Sequence, residues 1–387
     1  MDILTLNKIS PAGLDRLEKN GYNCGNNVEN PDAIIVRSAK MHDMEFKDNT
    51  LAIGRAGAGV NNIPIDKCTD QGIVVFNTPG ANANAVKELV ICAMLLSSRK
   101  IVPGIKFTET LKGKGDAVAK MVEKEKSAFK GPEIKGKTLG VIGLGAIGIQ
   151  VANAATSLGM EVYGYDPYIS VDAAWNISSR IHHAENPDEI FENCDYITLH
   201  IPLNDQTKNI VDKKAISNMK DGIRIMNFAR GGLVNTDDII EALGKGKVAA
   251  YATDFVEDKL INVPGVITIP HLGASTPESE DNCARMAALE LMDYLENGNI
   301  KNSVNMPEAD MNHPDTNRLC VIHKNIPNVL NKITGEFTDA NIRNFLNRSR
   351  GDIAYTMMDL DSEISEDQVN LVRNLPGVIR VRLIKGN

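Results

Sequence analysis

One stretch constrains this chain more than any other: Thr138-Leu139-Gly140-Val141-Ile142-Gly143-Leu144-Gly145-Ala146-Ile147-Gly148. An apolar run enters a Gly-x-Gly-x-x-Gly turn, and a helical pattern follows. A second apolar run, Glu161 to Tyr165, closes on Asp166, 18 residues after Gly148. This is the order and spacing of a dinucleotide-binding β-α-β unit. Gly143 permits the tight turn. Gly145 lets backbone approach a pyrophosphate whose charge the helix N-terminus favours, with Ala146 and Ile147 opening that helix. Gly148 allows helix and strand to touch. Asp166 is placed to accept hydrogen bonds from ribose hydroxyls, and its charge repels a 2′-phosphate, so the expected cofactor is NAD. Alone, Asp166 also reads as a solvated turn residue. The motif lies near the middle of 387 residues, so a separate structure must fold from the segment ahead of it.

A chain of this length suggests about two or three domains. Hydrophobic residues make up 43% and charged residues 24%, enough for ordinary cores. Lys plus Arg is 42 against 50 Asp plus Glu, a net charge of −8. With no long basic run, a nucleic-acid partner is not expected. An anionic substrate must therefore be held by local cations. The cysteines are scattered without Cys-x-x-Cys spacing, so reduced thiols are expected and no metal site. The N-terminus lacks a signal-peptide pattern, and no apolar stretch reaches about 18 residues. A cytoplasmic protein without a membrane partner is the expectation.

The first hundred or so residues alternate apolar strands (3–6, 33–36, 51–53, 73–76) with helical patterns, the mark of a parallel sheet covered by helices. In such sheets ligands meet the loops at the carboxyl ends of strands. Arg37, the turn 54–59 and Asn82 fall in such loops. Residues 84–100 read as a helix, and 104–136 as a charged connecting excursion. A second alternating unit runs to about residue 270. A helix follows over 276–298, then a polar stretch with two prolines, 305–316, read as a linker. The remainder reads β-α-β-β-α-β, a ferredoxin-like order.

Two strand ends carry candidate chemistry. In Asn227-Phe228-Ala229-Arg230-Gly231-Gly232, an arginine with flexible glycines suits a bidentate grip on a carboxylate. In Pro270-His271-Leu272-Gly273, a histidine can serve as general base. Each residue taken alone also reads as structural, Arg230 in an ion pair and His271 as a hydrogen-bonded residue before a helix.

Read together, four motifs resemble the D-isomer-specific 2-hydroxyacid dehydrogenases, and within them the branch that oxidises 3-phospho-D-glycerate. The motifs are Gly54-Arg55-Ala56-Gly57-Ala58-Gly59-Val60-Asn61-Asn62, Glu133 through Gly145, Phe228-Ala229-Arg230-Gly231-Gly232, and Pro270-His271-Leu272-Gly273-Ala274-Ser275-Thr276. The resemblance implies an α/β fold of two doubly wound parallel-sheet domains. A flavodoxin-like substrate domain (1–100 and 284–304) would be interrupted by an inserted Rossmann NAD domain (101–283). After the linker, a C-terminal ferredoxin-like βαββαβ module (317–387) would be ACT-like. The resemblance further implies that Arg230 holds the substrate carboxylate and that His271 takes the hydroxyl proton. Arg37, Ser38, Arg55, Gly57 and Asn82 would meet the substrate. Ala58, Ile201, Phe228, Ala229, Asp254, Gly273 and Ala274 would join the glycine turn around NAD. A homodimer is implied.

One position departs from the pattern. Where the family places a glutamate that pairs with the histidine, this chain has Lys259. Three readings stay open: Glu257 or Asp258 reaches His271; Lys259 is itself the acid/base, if desolvation lowers its pKa; or Lys259 binds substrate phosphate while His271 works alone. The tail resembles an ACT domain at His323-Lys324-Asn325-Ile326-Pro327 and at Asn341-Ile342, which implies L-serine as effector through His323, Asn325 and Asn341. Asn328 stands where glycine is common, so a purely dimerising role is the alternative. Rival activities are oxidation of another D-2-hydroxy acid, such as 2-hydroxyglutarate, and a non-catalytic NAD-sensing corepressor.

Overall fold

Strands form where short aliphatic runs are buried on both faces, and the parallel pairing follows from helices returning the chain across the sheet. The structure is a computed structural model that describes residues 1–386. It divides into two units, Met1–Asn82 with Pro277–Asn387, and Ala83–Thr276.

In the first unit, β1 (Asp2–Leu6), β2 (Asn23–Gly25), β3 (Ala33–Val36), β4 (Ala52–Arg55) and β5 (Val74–Phe76) form a parallel sheet of order β2-β1-β3-β4-β5. This is the flavodoxin-like order. The 21-residue helix Pro277–Asn297 packs on it. A Cβ at Gly54 would sit 3.0 Å from the Leu291 side chain, so glycine sets that close approach. Ser10 caps the helix Pro11–Lys19, with Pro11 in its first turn.

The second unit holds β6 (Thr138–Ile142), β7 (Glu161–Tyr165), β8 (Ile181–His183), β9 (Tyr196–Leu199), β10 (Ile223–Asn227), β11 (Val248–Thr253) and β12 (Val266–Thr268). Its order is β12-β11-β10-β9-β6-β7-β8, parallel throughout, as in a Rossmann sheet. A Cβ at Gly140 would collide with Ile190 and lie 3.0 Å from the Cys194 sulfur, so the helix Pro187–Asn193 lies tight on β6.

The unit boundaries fall at Asn82/Ala83 and Thr276/Pro277, whereas the sequence places them at 100/101 and 283/284. The physical reason is the helix Ala83–Arg99. Its Val86, Val90 and Met94 share a core with Leu139, Val141 and Met226 of the second unit. The excursion 104–136 is not structureless either. It contains the helices Ile101–Glu109 and Ala117–Glu125, neither of which buries a residue.

The last strands, β13 (Asn317–Lys324), β14 (Ile342–Arg350), β15 (Ile353–Leu360) and β16 (Val378–Ile384), form an antiparallel sheet of order β14-β15-β13-β16. With the helices Val329–Gly335 and Glu366–Arg373 between them, the βαββαβ order holds. Both parallel sheets and this module match the fold class expected from sequence. The stretch 305–316 is not a free tether, because Met306 and Ala309 are buried and Ala309 pairs with Ile300.

The C-terminal module is docked within the first unit through one shared core. Ile322, Tyr355 and Met357 lie with Tyr294, Leu295 and Ile300. Arginines of the module meet carbonyls in the last turn of the long helix. Arg382 donates to Tyr294 O at 2.9 Å and Leu295 O at 2.5 Å, and Arg318 to Asn297 O at 2.8 Å. Cations there also complement the helix dipole. Arg318 is itself buried and forms a two-pronged pair with Asp359 at 2.6 and 3.0 Å. Replacing Arg318 by Met leaves the Asp359 charge buried alone, and a cost of about 3–5 kcal/mol is expected in urea unfolding. A loss below about 1 kcal/mol would show that the pair does not hold the module.

Candidate active site

Parallel pairing sends the loops after β6, β7, β9, β10, β11 and β12 to one edge of the second unit's sheet. The glycine turn, Asp166, Ile201, Phe228 to Arg230, Asp254 and His271 to Ala274 all occupy that edge. The three glycines of the turn differ in what surrounds them. Gly143 has φ +98, and a Cβ there would strike the His200 carbonyl. A Cβ on Gly148 would fall on the Gly143 carbonyl oxygen, so helix Ala146–Ser157 touches the strand end only through glycine. At Gly145 nothing lies within 4 Å, which leaves the approach to the helix N-terminus open. An open glycine at an uncapped helix start fits a dinucleotide pyrophosphate.

Asp166 has a structural task beside its expected one. Its Oδ2 accepts the Leu144 N–H and its Oδ1 the Tyr168 N–H, both at 2.9 Å. The carboxylate thus ties the glycine turn to the end of β7. Each oxygen retains a lone pair for a ribose hydroxyl.

Asn227, the polar last residue of β10, has no role in the sequence motifs and is 1% exposed. Its amide donates to Arg230 O at 2.9 Å and its carbonyl oxygen accepts the Ala229 N–H at 3.2 Å. A buried polar side chain must find partners, and this one finds them in the loop that carries the arginine. Arg230 is exposed and donates from Nη1 to Ala229 O at 2.7 Å. No ion pair engages it among the described residues, so the structural ion-pair reading has no partner.

His271 is exposed, its ring set edge-on to Phe255 with centroids 5.1 Å apart. Asp254 is 3% exposed. Its Oδ2 accepts the Gly273 N–H at 3.4 Å, and its Oδ1 is buried without a partner. Burial pushes the Asp254 carboxyl above the usual carboxylate range, while the charge of His271 pulls it back. The histidine and this aspartate are therefore electrostatic neighbours.

Lys259 does not meet the condition for an acid/base role. It lies on a single helical turn, Asp258–Leu260, with its side chain 60% exposed, and pairs with Asp237 at 2.6 Å. That hydrogen bond raises its pKa, the reverse of desolvation. Glu257 accepts from Thr236 at 2.9 Å. Among the described residues no group of three His, Cys, Asp or Glu is placed to hold a metal ion.

The expected substrate residues of the first unit also follow strand ends: Arg37 and Ser38 after β3, Arg55 at the end of β4 with Gly57 and Ala58 after it, and Asn82 after β5. Gly57 has φ +145, and a Cβ there would overlap the Arg55 guanidinium, so the arginine lies across the glycine. Arg37 pairs with Glu280 at 2.8 Å. The Ser38 N–H donates to Asn7 Oδ1 at 3.1 Å.

The glycine geometry yields contrasting expectations for one substitution. Gly145→Ala should melt within about 2 °C of the parent yet weaken NAD binding about tenfold or more, since the added methyl enters open space. Gly148→Ala should cost about 1–3 kcal/mol by overpacking. Thermal melts and isothermal titration with NAD measure both, and equal behaviour of the two variants would contradict the geometry.

Residues 92–273 match the family model described as D-isomer specific 2-hydroxyacid dehydrogenase, NAD binding domain. The cofactor of that domain is NAD. The chain is similar to a D-3-phosphoglycerate dehydrogenase of Archaeoglobus fulgidus, 34% identical over 331 residues, covering 80% of this chain and 60% of the relative. It is similar to a D-3-phosphoglycerate dehydrogenase of Haemophilus influenzae, 32% identical over 355 residues, covering 88% of this chain and 83% of the relative. Among solved structures it resembles the NAD+-bound 3-phosphoglycerate dehydrogenase of Entamoeba histolytica, with TM-score 0.62 and 28% identity, covering 79% of this chain and 98% of that one. The chain spans 60%, 59% and 53% of three long curated relatives, from A. fulgidus, Bacillus subtilis and Methanocaldococcus jannaschii. The chain belongs to the D-isomer-specific 2-hydroxyacid dehydrogenase family.

Proposed function

We propose that the protein oxidises 3-phospho-D-glycerate to 3-phosphooxypyruvate with NAD, the first step of L-serine formation. The observation that carries this reading is the meeting of Arg230, Asp254 and His271 at the ends of adjacent strands β10, β11 and β12, on the sheet edge that bears the glycine turn. The nicotinamide, when bound, accepts the hydride from C2. Arg230 would hold the carboxylate and the C2 oxygen, and its exposed guanidinium has donors to spare. His271 would take the hydroxyl proton as the carbonyl forms, with Asp254 as its electrostatic neighbour. Asp254 would also face the carboxamide, with Ala58, Ile201, Phe228, Ala229, Gly273 and Ala274 against the cofactor. Arg37, Ser38, Arg55, Gly57 and Asn82 would meet the substrate, the phosphate end falling to Arg37, Ser38 and Asn82. Lys259 is left with phosphate recognition or none.

Absorbance of NADH, followed with NAD and 3-phosphoglycerate and in reverse with 3-phosphooxypyruvate, tests the reading. Faster turnover of 2-hydroxyglutarate would move the substrate, and NAD binding without turnover of any 2-hydroxy acid would favour a sensor. His271→Ala should lower kcat about 10²–10⁴-fold with NAD affinity retained. Lys259→Met should leave the pH–rate profile in place; a displaced profile would return Lys259 to proton transfer.

We also propose a cytoplasmic homodimer that pairs through the second unit. The helices Ile101–Glu109 and Ala117–Glu125 bury nothing, and Ile101 and Ile105 are exposed apolar residues on the first of them. No helix among the described residues is long and apolar enough to cross a membrane. The effector reading is weaker at His323, which is buried with Nδ1 against Lys324 O and Nε2 against Thr356 Oγ1, both at 2.9 Å. Asn325 and Asn341 are exposed, and Asn328 takes φ +71, where glycine would fit. With His323 satisfied internally, the module is read as dimerising. L-Serine should leave the rate and melting temperature unchanged, and a serine-dependent fall in rate would restore the effector.

A further inference from the structure

Glu290 lies in the middle of the helix Pro277–Asn297 and is 8% exposed. Its Oε1 accepts the Asn302 amide at 2.8 Å. Its Oε2 is buried with no hydrogen-bond partner. A carboxylate in that setting is costly to ionise, and burial pushes the group up to about 8. Near neutral pH the side chain carries its proton, and nothing in the reaction described above uses it.

Asn302 joins this carboxyl to a strand end. Its backbone is left-handed, φ +56, and its carbonyl accepts the Asn77 N–H at 3.3 Å. Residues 303–305 then run beside β5. Ser303 pairs with Phe76, the Val304 N–H donates to Val75 O at 2.9 Å, and Asn305 Oδ1 accepts the Val75 N–H at 2.9 Å. From β5 the path turns to the loop after β4. Asn77 donates its side-chain amide to Ala58 O at 2.7 Å, and the Thr78 N–H donates to Gly57 O at 3.1 Å.

We propose that Glu290 is a positioning residue for the Gly57–Ala58 loop: through Asn302 and Asn77 it sets where the two loop carbonyls lie, and its protonation state tunes substrate KM. The inference rests on the reading of that loop as facing the ligands. Ionisation would place a full charge on the oxygen that has no donor. Water drawn in to solvate that charge would loosen the Asn302 contact, and with it the segment that holds Asn77.

Most charged groups on the elements around Glu290 have partners of their own. On its own helix, Asp293 accepts from Asn297 and Asn299, Arg285 pairs with Asp281, and Glu280 pairs with Arg37. Glu296 accepts from Tyr22, next to the helix Pro11–Lys19, whose Asp15, Arg16, Glu18 and Lys19 are exposed. From the C-terminal sheet, Arg382 lies over the Tyr294 ring and Arg350 donates to Ser303 O. Arg55 ends β4, and Lys301 pairs with Asp310. None of these shifts the Glu290 carboxyl, which answers to burial and to Asn302.

The sign of the stability effect follows. An exposed glutamate loses its proton near 4.5, whereas the folded one keeps it to about 8. Between those values the unfolded chain binds fewer protons, so stability falls as pH rises, and levels off above. Glu290→Gln keeps the shape and the Asn302 contact and removes this slope.

The test combines two readouts on the full chain. Hydrogen exchange of peptides spanning 56–62 and 74–80, corrected for intrinsic rate, is compared at pH 7 and pH 9, and KM for 3-phosphoglycerate is measured across the same range. The parent should gain exchange at pH 9 and show a severalfold change in KM centred near pH 8. Glu290→Gln should show neither, with kcat within about twofold. Asn302→Gly, which suits a left-handed backbone and deletes the amide, should likewise lose both responses. Exchange that is equal in parent and Glu290→Gln overturns the coupling, whatever substrate is turned over. A changed exchange beside a flat KM overturns the tuning of substrate binding. Absence of turnover with the exchange difference intact supports the coupling and overturns the substrate assignment alone.

Discussion

The structure of the second unit depends on one steric fact: at Gly148 the helix Ala146–Ser157 approaches the end of β6 so closely that any side chain would fall on the Gly143 carbonyl oxygen. That contact fixes where the helix N-terminus points. The open backbone at Gly145 then has a defined place beside it, and Asp166 locks the turn from the neighbouring strand through the Leu144 N–H. Parallel pairing does the rest. Each successive strand delivers its following loop to the same edge, so Arg230, Asp254 and His271 converge without being near one another in sequence.

Much of this was legible in the residues because it is local. Strand, glycine turn and helix follow within a dozen positions, and the alternation of apolar runs announces a parallel sheet. What was not legible depends on packing across long separations. Residues 84–100 read as a helix of the first domain, yet the apolar face of Ala83–Arg99 has its partners in Leu139 and Met226. The polar stretch 305–316 reads as a tether, but Met306 and Ala309 are held in the core. Asn227 gave one usable signal, a polar residue closing an otherwise apolar strand. The bonds of His323 to Thr356 gave none, because they join residues on different strands.

The position where the family has a glutamate shows how environment, not residue type, decides a role. A lysine there suggests a perturbed base, but Lys259 faces solvent and holds Asp237. The carboxylate with electrostatic influence on His271 is Asp254, buried at the end of β11. In the first unit Glu290 is the opposite case. Among the described residues no cation compensates its burial, so near neutral pH it holds a proton rather than a charge.

On the proposed function, this edge of the sheet moves a hydride from C2 of a 2-hydroxy acid to NAD, with the proton leaving through His271. The most direct measurement uses 3-phospho-D-glycerate deuterated at C2, with the nicotinamide product examined by mass spectrometry. One deuterium is expected in each reduced nicotinamide, with a slower rate than with the protiated substrate. Reduced cofactor without deuterium, the label having passed to water, would contradict it.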